Sequence, residues 1–119
     1  MVSHVVLFRL RPDLTHADRE GLVEAMETAL RGIPSIRSFR IGKRLTFGAT
    51  YEQRAPALDF GAIIDFDDFG GLKAYLDHFA HEDIGARFNA SIEQALVYDY
   101  EMMGPEGARG LLEEDRPGR

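Results

Sequence analysis

A phenol and two imidazoles recur at intervals of three in the segment that runs from Tyr75 through His78 to His81. A third histidine, His4, lies in an apolar stretch near the beginning of the chain. The unperturbed pKa of imidazole allows it to give or take a proton near neutrality. An imidazole whose tautomer is held by a partner can remove a proton next to a carbonyl group. The segment therefore indicates acid–base chemistry, provided that the fold brings these side chains together.

Each of these residues also has an ordinary structural explanation. His81 could end a helix and bond a backbone carbonyl. Tyr75 falls on the apolar side of the same helical run, so burial alone would explain its ring. His4 alternates with Val6 and Phe8, and a histidine on an apolar strand face is often a hydrogen-bonded core residue. Spacing alone leaves the structural and the chemical interpretations open.

A metal site is a third interpretation of the same segment, because His78 and His81 are followed by Glu82 and Asp83. Imidazole and carboxylate groups are common zinc ligands. The helical zinc motif, however, spaces its histidines by four with a glutamate between them, and that pattern is absent. The sequence also lacks a Ser-His-Asp order, a phosphate-binding glycine loop and a dinucleotide fingerprint. We therefore expect no metal and no cofactor.

The composition describes one ordinary soluble domain. The chain has 119 residues, of which 45% are hydrophobic and 29% charged, and its formal net charge is −6. A negative charge disfavours nucleic acid, since phosphate binding depends on clustered lysine and arginine. The absence of cysteine suits a reducing compartment, and no apolar run approaches the ~20 residues of a membrane span. We expect a cytoplasmic protein with neither nucleic-acid nor membrane partners.

Hydrophobic periodicity places the candidate residues on defined elements. Period-two alternation predicts strands and apolar residues at spacings of three and four predict helices. Thr15 and Asp68 are expected to cap the first and second helices. The predicted order is a strand over 2–10, a helix from 15 to 32, a strand over 36–45, a loop over 46–56, a strand over 58–67, a helix after 68, a short helix over 81–92 and a strand over 95–102.

This order is the ferredoxin-like β-α-β-β-α-β arrangement of the α+β class, with a four-stranded antiparallel sheet and helices on one face. Both faces of the first strand are largely apolar, so the second sheet face also needs a cover. A second copy of the chain would supply it and give a dimeric α/β barrel. Residues 1–102 form this domain, and the Gly-, Pro- and charge-rich residues 103–119 are predicted to be a mobile tail.

Four segments resemble the stress-responsive dimeric A/B barrel (Dabb) family over about residues 2–101. They are SHVVLFRL from Ser3, IRSFRIG from Ile36, AYLDHFAH from Ala74 and LVYDY from Leu96. The resemblance implies a homodimeric barrel of ferredoxin-like protomers. One branch of the family is similar to the plant olivetolic acid cyclase, which closes a polyketide by aldol condensation.

The resemblance to that branch implies specific roles. His81 would be the general base, Tyr75 would orient the substrate carbonyl, and His4 would be the third catalytic position. His78 also matches a family histidine. The sequence departs from the pattern in two places: Phe79 replaces the usual proline between the paired histidines, and Phe60 stands where the cyclase has a histidine on its third strand.

The sequence thus predicts a cytoplasmic homodimer that binds an apolar, aromatic or polyketide-like small molecule between the sheet and the second helix. His4, Tyr75 and His81 would form the polar end of this pocket. The substrate-binding positions would be Phe60, Ile64, His78 and Phe88. Cofactor-free cyclase or aldol-type chemistry is the sharpest hypothesis. The alternatives are a non-catalytic stress-related dimer with structural histidines and a cofactor-free monooxygenase of the related barrel superfamily.

Overall fold

A computed structural model describes residues 1–81 and 83–113, without the side chains at 80, 81, 83 and 84. Within these residues the chain forms four strands, three α-helices and two 3-10 helices. In order they are β1 (Val2–Leu10), α1 (His16–Gly32), β2 (Ser38–Lys43), a 3-10 helix (Thr50–Arg54), β3 (Phe60–Phe66), α2 (Phe69–His81), α3 (Asp83–Ser91), β4 (Ile92–Glu101) and a 3-10 helix (Pro105–Leu112).

The strands form one antiparallel sheet in the order β2-β3-β1-β4, which confirms the predicted ferredoxin-like fold. The helix caps also follow the sequence. Thr15 and Asp18 form a reciprocal capping box at the start of α1, with nitrogen–oxygen distances of 3.0 and 3.1 Å. The Asp68 carboxylate accepts from the backbone N–H of Gly71 at 2.9 Å, in the first turn of α2. These caps satisfy backbone donors that a helix leaves unpaired at its N-terminus.

The main core lies between the helices and one face of the sheet. Phe66 is fully buried, and Phe8, Ile64 and Leu72 are each at most 3% exposed. These strand residues share a face because β1 and β3 pair in register, with His4 opposite Ile64 and Phe8 opposite Phe60. The alternation in β1 therefore points His4 to the helix-covered side of the sheet.

The opposite face of the sheet, here called the open face, carries exposed apolar side chains. Leu7 is 38% exposed, and on the neighbouring edge strand Tyr98 and Tyr100 are 49% and 51% exposed. The two tyrosine rings lie side by side, with centroids 6.3 Å apart. This is the face for which the sequence predicts a cover.

One buried carboxylate ties three strands together at the edge of the open face. Asp65 of β3 accepts from Ser3 Oγ of β1 at 2.5 Å and from Ser38 Oγ of β2 at 2.7 Å. Arg40 Nη2 lies 3.7 Å from the same carboxylate. The two hydroxyl hydrogen bonds, chiefly that from Ser3, hold the pKa of Asp65 below its ordinary value, and Arg40 adds to the effect.

We predict that Asp65→Asn lowers the free energy of unfolding at pH 7 by about 1.5–3 kcal/mol, the usual contribution of a hydrogen bond to a charged group. Because the folded-state pKa is depressed, the stabilisation is present above the unfolded-state pKa of ~3.9 and is lost as pH falls through the folded-state pKa. Urea unfolding at pH 7 and pH 3, at one protein concentration, measures the difference. Exposed Asp59→Asn is the matched control; an equal deficit of Asp65→Asn at both pH values would contradict the prediction.

The strand boundaries differ from the sequence prediction by a few residues. Leu58 continues the alternation of β3 and is buried, but its N–H bonds the carbonyl of Pro56 in a tight turn, so the strand begins only at Phe60. β2 is shorter than predicted, and β4 begins at Ile92, which pairs with Leu10. In β3 the apolar alternation therefore begins before the hydrogen-bonded strand. In β4 the hydrogen-bonded strand begins before the predicted alternation.

The predicted loop after β2 contains local order. Residues 50–54 form a 3-10 helix, and the Glu52 carboxylate accepts from the backbone N–H groups of Phe47 and Ala49. Near the chain end, residues 105–112 form a second 3-10 helix. The mobility predicted for residues 103–119 stays a prediction, and residues 114–119 lie outside the described part. Over residues 1–81 and 83–113, no helix combines the length and apolar character needed to cross a membrane.

Candidate functional site

A cavity of about 250 Å³ lies between the helix-covered face of the sheet and the three α-helices. The walls are predominantly apolar, and His4, Tyr75 and Asn89 supply the polar side chains. The apolar lining residues are Val6, Phe8, Leu22, Met26, Ala29, Leu30, Ile36, Phe39, Ala62, Ile64, Leu76, Phe79, Phe88 and Val97. Apolar walls with a few polar groups are typical of small-molecule sites.

His4 lies at the centre of the sheet and is 6% exposed. Its Nδ1 lies 2.6 Å from Oδ1 of Asp99, which is directly opposite it on β4. A carboxylate can only accept, so Nδ1–H donates and the second ring nitrogen, Nε2, carries the lone pair in the neutral imidazole. Nε2 has no hydrogen bond to any residue in the described part of the chain. Asp99 therefore fixes the tautomer in which His4 can act as a base.

Tyr75 of α2 packs beside His4, with ring centroids 5.6 Å apart. Its own ring is held by Phe66 at 5.4 Å and Phe79 at 5.8 Å. Burial raises the pKa of Tyr75 to about 12, so the phenol stays protonated at neutral pH. Tyr75 is thus a protonated phenol packed beside the imidazole of His4.

The structure brings His4, Tyr75, Ile64 and Phe88 together around the cavity. His78 lies on the exposed side of α2 and does not contribute to the cavity lining. His81 is the last residue of α2, but its side chain lies outside the described residues. The role of His81 as general base therefore stays a prediction.

The two positions that depart from the family pattern have different surroundings. Phe79 lines the cavity and packs against the rings of Tyr75 and Phe88, the latter at 5.9 Å. Phe60, predicted to be a wall, is outside the lining and instead stacks on Phe8 with centroids 5.5 Å apart. Phe60 thus contacts a lining residue without lining the cavity itself.

Sequence reasoning missed two contributions to the site. Asp99 was not predicted as a site residue because its partner, His4, is 95 residues away along the chain. The period-two pattern of β4 does place Asp99 on the same side as Val97, but only the strand register sets it opposite His4. The second omission is α1, whose apolar stripe supplies Leu22, Met26 and Ala29 to a cavity expected only between the sheet and α2.

The metal interpretation falls largely on the undescribed positions, since the side chains of His81, Glu82 and Asp83 are all among them. Among the side chains that the structure does describe, no group of three or more histidine, cysteine, aspartate or glutamate residues could hold a metal ion. The polar groups at the described site are the imidazole of His4, the phenol of Tyr75, the amide of Asn89 and the carboxylate of Asp99.

Three solved structures illustrate the fold. A protein from Arabidopsis thaliana aligns with a TM-score of 0.72 and 20% identity, covering 87% of this chain and 97% of that one. A dimeric ferredoxin-like protein of unknown function from Jannaschia aligns with a TM-score of 0.62 and 26% identity, covering 85% and 98%. Hydroxynitrile lyase from Passiflora edulis aligns with a TM-score of 0.65 and 17% identity, covering 87% and 94%.

The comparison with curated proteins gives no match. The stress-responsive A/B barrel domain family, in contrast, matches residues 2–102, nearly the whole of the described chain. Further similar structures include a Dabb protein from Mesorhizobium loti with a ferredoxin-like fold. The match covers all four strands and the three α-helices between them. The chain therefore belongs to the stress-responsive A/B barrel (Dabb) family.

Proposed function

We propose that this protein is a homodimer that binds a small apolar ketone or related molecule in the cavity and transfers a proton there without a cofactor. The observation that carries the proposal is the His4–Asp99 pair: a buried imidazole faces an apolar cavity with its tautomer fixed by a carboxylate 2.6 Å away. The hydrogen bond to Asp99 leaves Nε2 as the basic nitrogen of His4, which is the atom that a general base uses.

The proposed step uses two described side chains. Nε2 of His4 accepts a proton from the carbon next to the substrate carbonyl, and the C–H electron pair becomes part of an enolate. The Tyr75 hydroxyl donates a hydrogen bond to the enolate oxygen, where negative charge develops. The enolate can be reprotonated or can attack a second carbonyl, which is the aldol-type cyclisation. His81 remains a candidate second base in this scheme.

The proposed substrate class follows from the apolar and aromatic side chains that line the cavity. Phe88 contacts Phe8 and Phe79 edge to face at centroid distances of 5.5 and 5.9 Å, and the three rings offer flat apolar surface to a ring system. A ligand with a compact apolar body and one carbonyl group matches a cavity with a single polar end. The Passiflora edulis hydroxynitrile lyase shows that this fold accommodates an enzyme.

Deuterium exchange of the ketone 2-tetralone tests the proposal. Its α-protons are acidic enough for exchange to be followed by NMR, and its two fused rings suit an apolar cavity. The protein should accelerate exchange in D₂O above the buffer rate, with saturation at high ketone concentration. Saturable binding with exchange at the buffer rate would instead favour the non-catalytic alternative. Oxygen uptake with a hydroquinone would favour the monooxygenase alternative.

The homodimer is supported by the open face and by the similar structures described as dimeric. We predict that light scattering gives twice the 13.4 kDa of one chain. Leu7→Glu should reduce the mass to 13.4 kDa, because it places a charge at the centre of an apolar interface. Val23, which is 52% exposed on α1, supplies the control Val23→Glu. A monomeric wild-type protein at micromolar concentration would overturn this part of the proposal.

A further inference from the structure

A second hollow, here called the α1–α3 cleft, lies next to the apolar cavity and has a different character. It is an open depression of about 510 Å³, and its walls come from the β1–α1 connection, α1 and α3. Four charged side chains face it: Arg11, Asp13, Asp18 and Arg87. The arrangement of these charges indicates what the cleft can bind.

Three of the four charges are already engaged. Arg11 Nη2 lies 3.1 Å from Oδ2 of Asp13, and Arg11 Nη1 donates to the carbonyl of Ala90 at 3.4 Å. The Asp18 carboxylate accepts from the backbone of Thr15 in the capping box, and this bond lowers the pKa of Asp18. Arg87 has no hydrogen bond or ion pair with any residue of the described chain. The guanidinium of Arg87 is therefore the cleft's uncommitted cation.

Gly21 leaves room for the Arg87 guanidinium beside α1. A glycine inside a helix costs about 0.5–1 kcal/mol relative to alanine, so its presence in α1 calls for a reason. A Cβ at position 21 would stand 2.8 Å from Nη1 of Arg87. The missing side chain thus allows the guanidinium to rest against the α1 backbone. An alanine there would displace the flexible end of Arg87 without removing its charge.

The cleft and the cavity share one wall. Leu22 lines both, and the neighbouring residues on α3 divide between them, with Arg87 in the cleft and Phe88 in the cavity. Leu22 is therefore the common boundary between the cavity and the cleft in which Arg87 lies without a partner among the described residues. Guanidinium groups bind carboxylates and phosphates through paired hydrogen bonds.

We propose that Arg87 binds the anionic group of an amphipathic organic acid whose apolar part occupies the cavity beyond Leu22. This inference rests on the proposed binding function of the cavity and adds the ligand's charge to it. The cleft is then a specificity element: it selects acids over neutral molecules of the same shape.

Two probes of equal shape test the inference: 2-naphthylacetic acid, which is anionic at neutral pH, and 2-naphthylacetamide, which is neutral. Fluorescence titration of the full-length protein gives the Kd of each. The wild type should bind the acid roughly tenfold more tightly than the amide, since one charge-assisted contact is gained. Arg87→Gln should remove this preference and leave the amide Kd unchanged.

Gly21→Ala provides a second variant that is expected to fold, because alanine is the better helix former. It should weaken binding of the acid alone by displacing the guanidinium. Arg19→Gln, which removes an exposed α1 cation outside the cleft, is the matched control and should retain the preference. A preference that survives both Arg87→Gln and Gly21→Ala would overturn the inference.

The remaining outcomes separate the inference from the proposed function. If the amide binds and the acid has no advantage, the cavity proposal stands and the role of Arg87 is refuted. If neither probe binds, the cavity proposal fails and the inference fails with it. Inorganic phosphate is the third arm. If phosphate binds at Arg87 and the acid probe still binds with an unchanged Kd, the two do not compete for Arg87. The cleft would then take free anions, and the proposal of an amphipathic ligand that uses Arg87 would be overturned.

Discussion

His4→Gln should slow the protein-catalysed exchange of 2-tetralone α-protons by about 10²–10⁴-fold, the usual contribution of a positioned general base. Glutamine occupies a similar volume and can still bond Asp99, so the fold should persist while the basic nitrogen is lost. NMR measurement of the exchange rate at saturating ketone isolates this effect from a change in affinity. The exposed His16, which pairs with Glu20 on α1, supplies the control His16→Gln.

Asp99 is a positioning residue in this scheme, and its substitution gives a distinct signature. Asp99→Asn keeps a side chain of the same shape, but its amide can donate to Nδ1 and so favours the tautomer with the proton on Nε2. Exchange should fall while ketone binding stays within about twofold. The ¹⁵N chemical shifts of the His4 ring would report the change of tautomer directly. Full exchange activity in both His4→Gln and Asp99→Asn would remove His4 from the mechanism and leave His81 as the remaining imidazole candidate.

The parts of the fold that depend on local sequence were predictable. Alternation in β1 placed His4 with Val6 and Phe8, and the structure confirms that these three side chains share the helix-covered face. The Thr15 and Asp68 caps were predictable because each side chain bonds a backbone N–H three residues later, at the start of a helix. The strand order was predictable as well, because a β-α-β-β-α-β succession leaves few topologies once connections must be short.

The features that sequence did not reveal depend on register across long separations. The His4–Asp99 pair requires β1 and β4 to align residue for residue, and a slip of one position would turn Asp99 to the other face. Phe60 was expected to be a wall from its place in an alternating run. Its ring instead stacks on Phe8, and Phe60 does not line the cavity. The position of Arg87 in the cleft depends on the missing side chain at Gly21. In a helical sequence pattern, a glycine indicates only a lower helix propensity.

Phe66→Ala should produce the largest loss of stability, about 3–5 kcal/mol, as for other buried phenylalanines. Phe66 is fully buried, and it belongs to one core cluster with Ile33, Ile64, Leu72 and Tyr75. Removing the ring leaves a cavity that the sheet and α2 cannot easily close. Urea unfolding at fixed protein concentration measures the change. Phe69, only three residues away but 67% exposed, supplies the matched control Phe69→Ala, which should cost less than about 1 kcal/mol.

The same ring connects stability to the site, because Phe66 supports Tyr75 at a centroid distance of 5.4 Å. Phe66→Leu, a milder change that retains most of the buried volume, should leave the protein folded but allow Tyr75 to move away from His4. If the Tyr75 hydroxyl holds the enolate oxygen, 2-tetralone exchange should fall in Phe66→Leu by a factor similar to that in Tyr75→Phe. Normal exchange in Phe66→Leu, combined with reduced exchange in Tyr75→Phe, would show that the hydroxyl acts without support from this ring. In that case the core under Tyr75 stabilises the fold, and the contacts with Phe79 and His4 position the phenol.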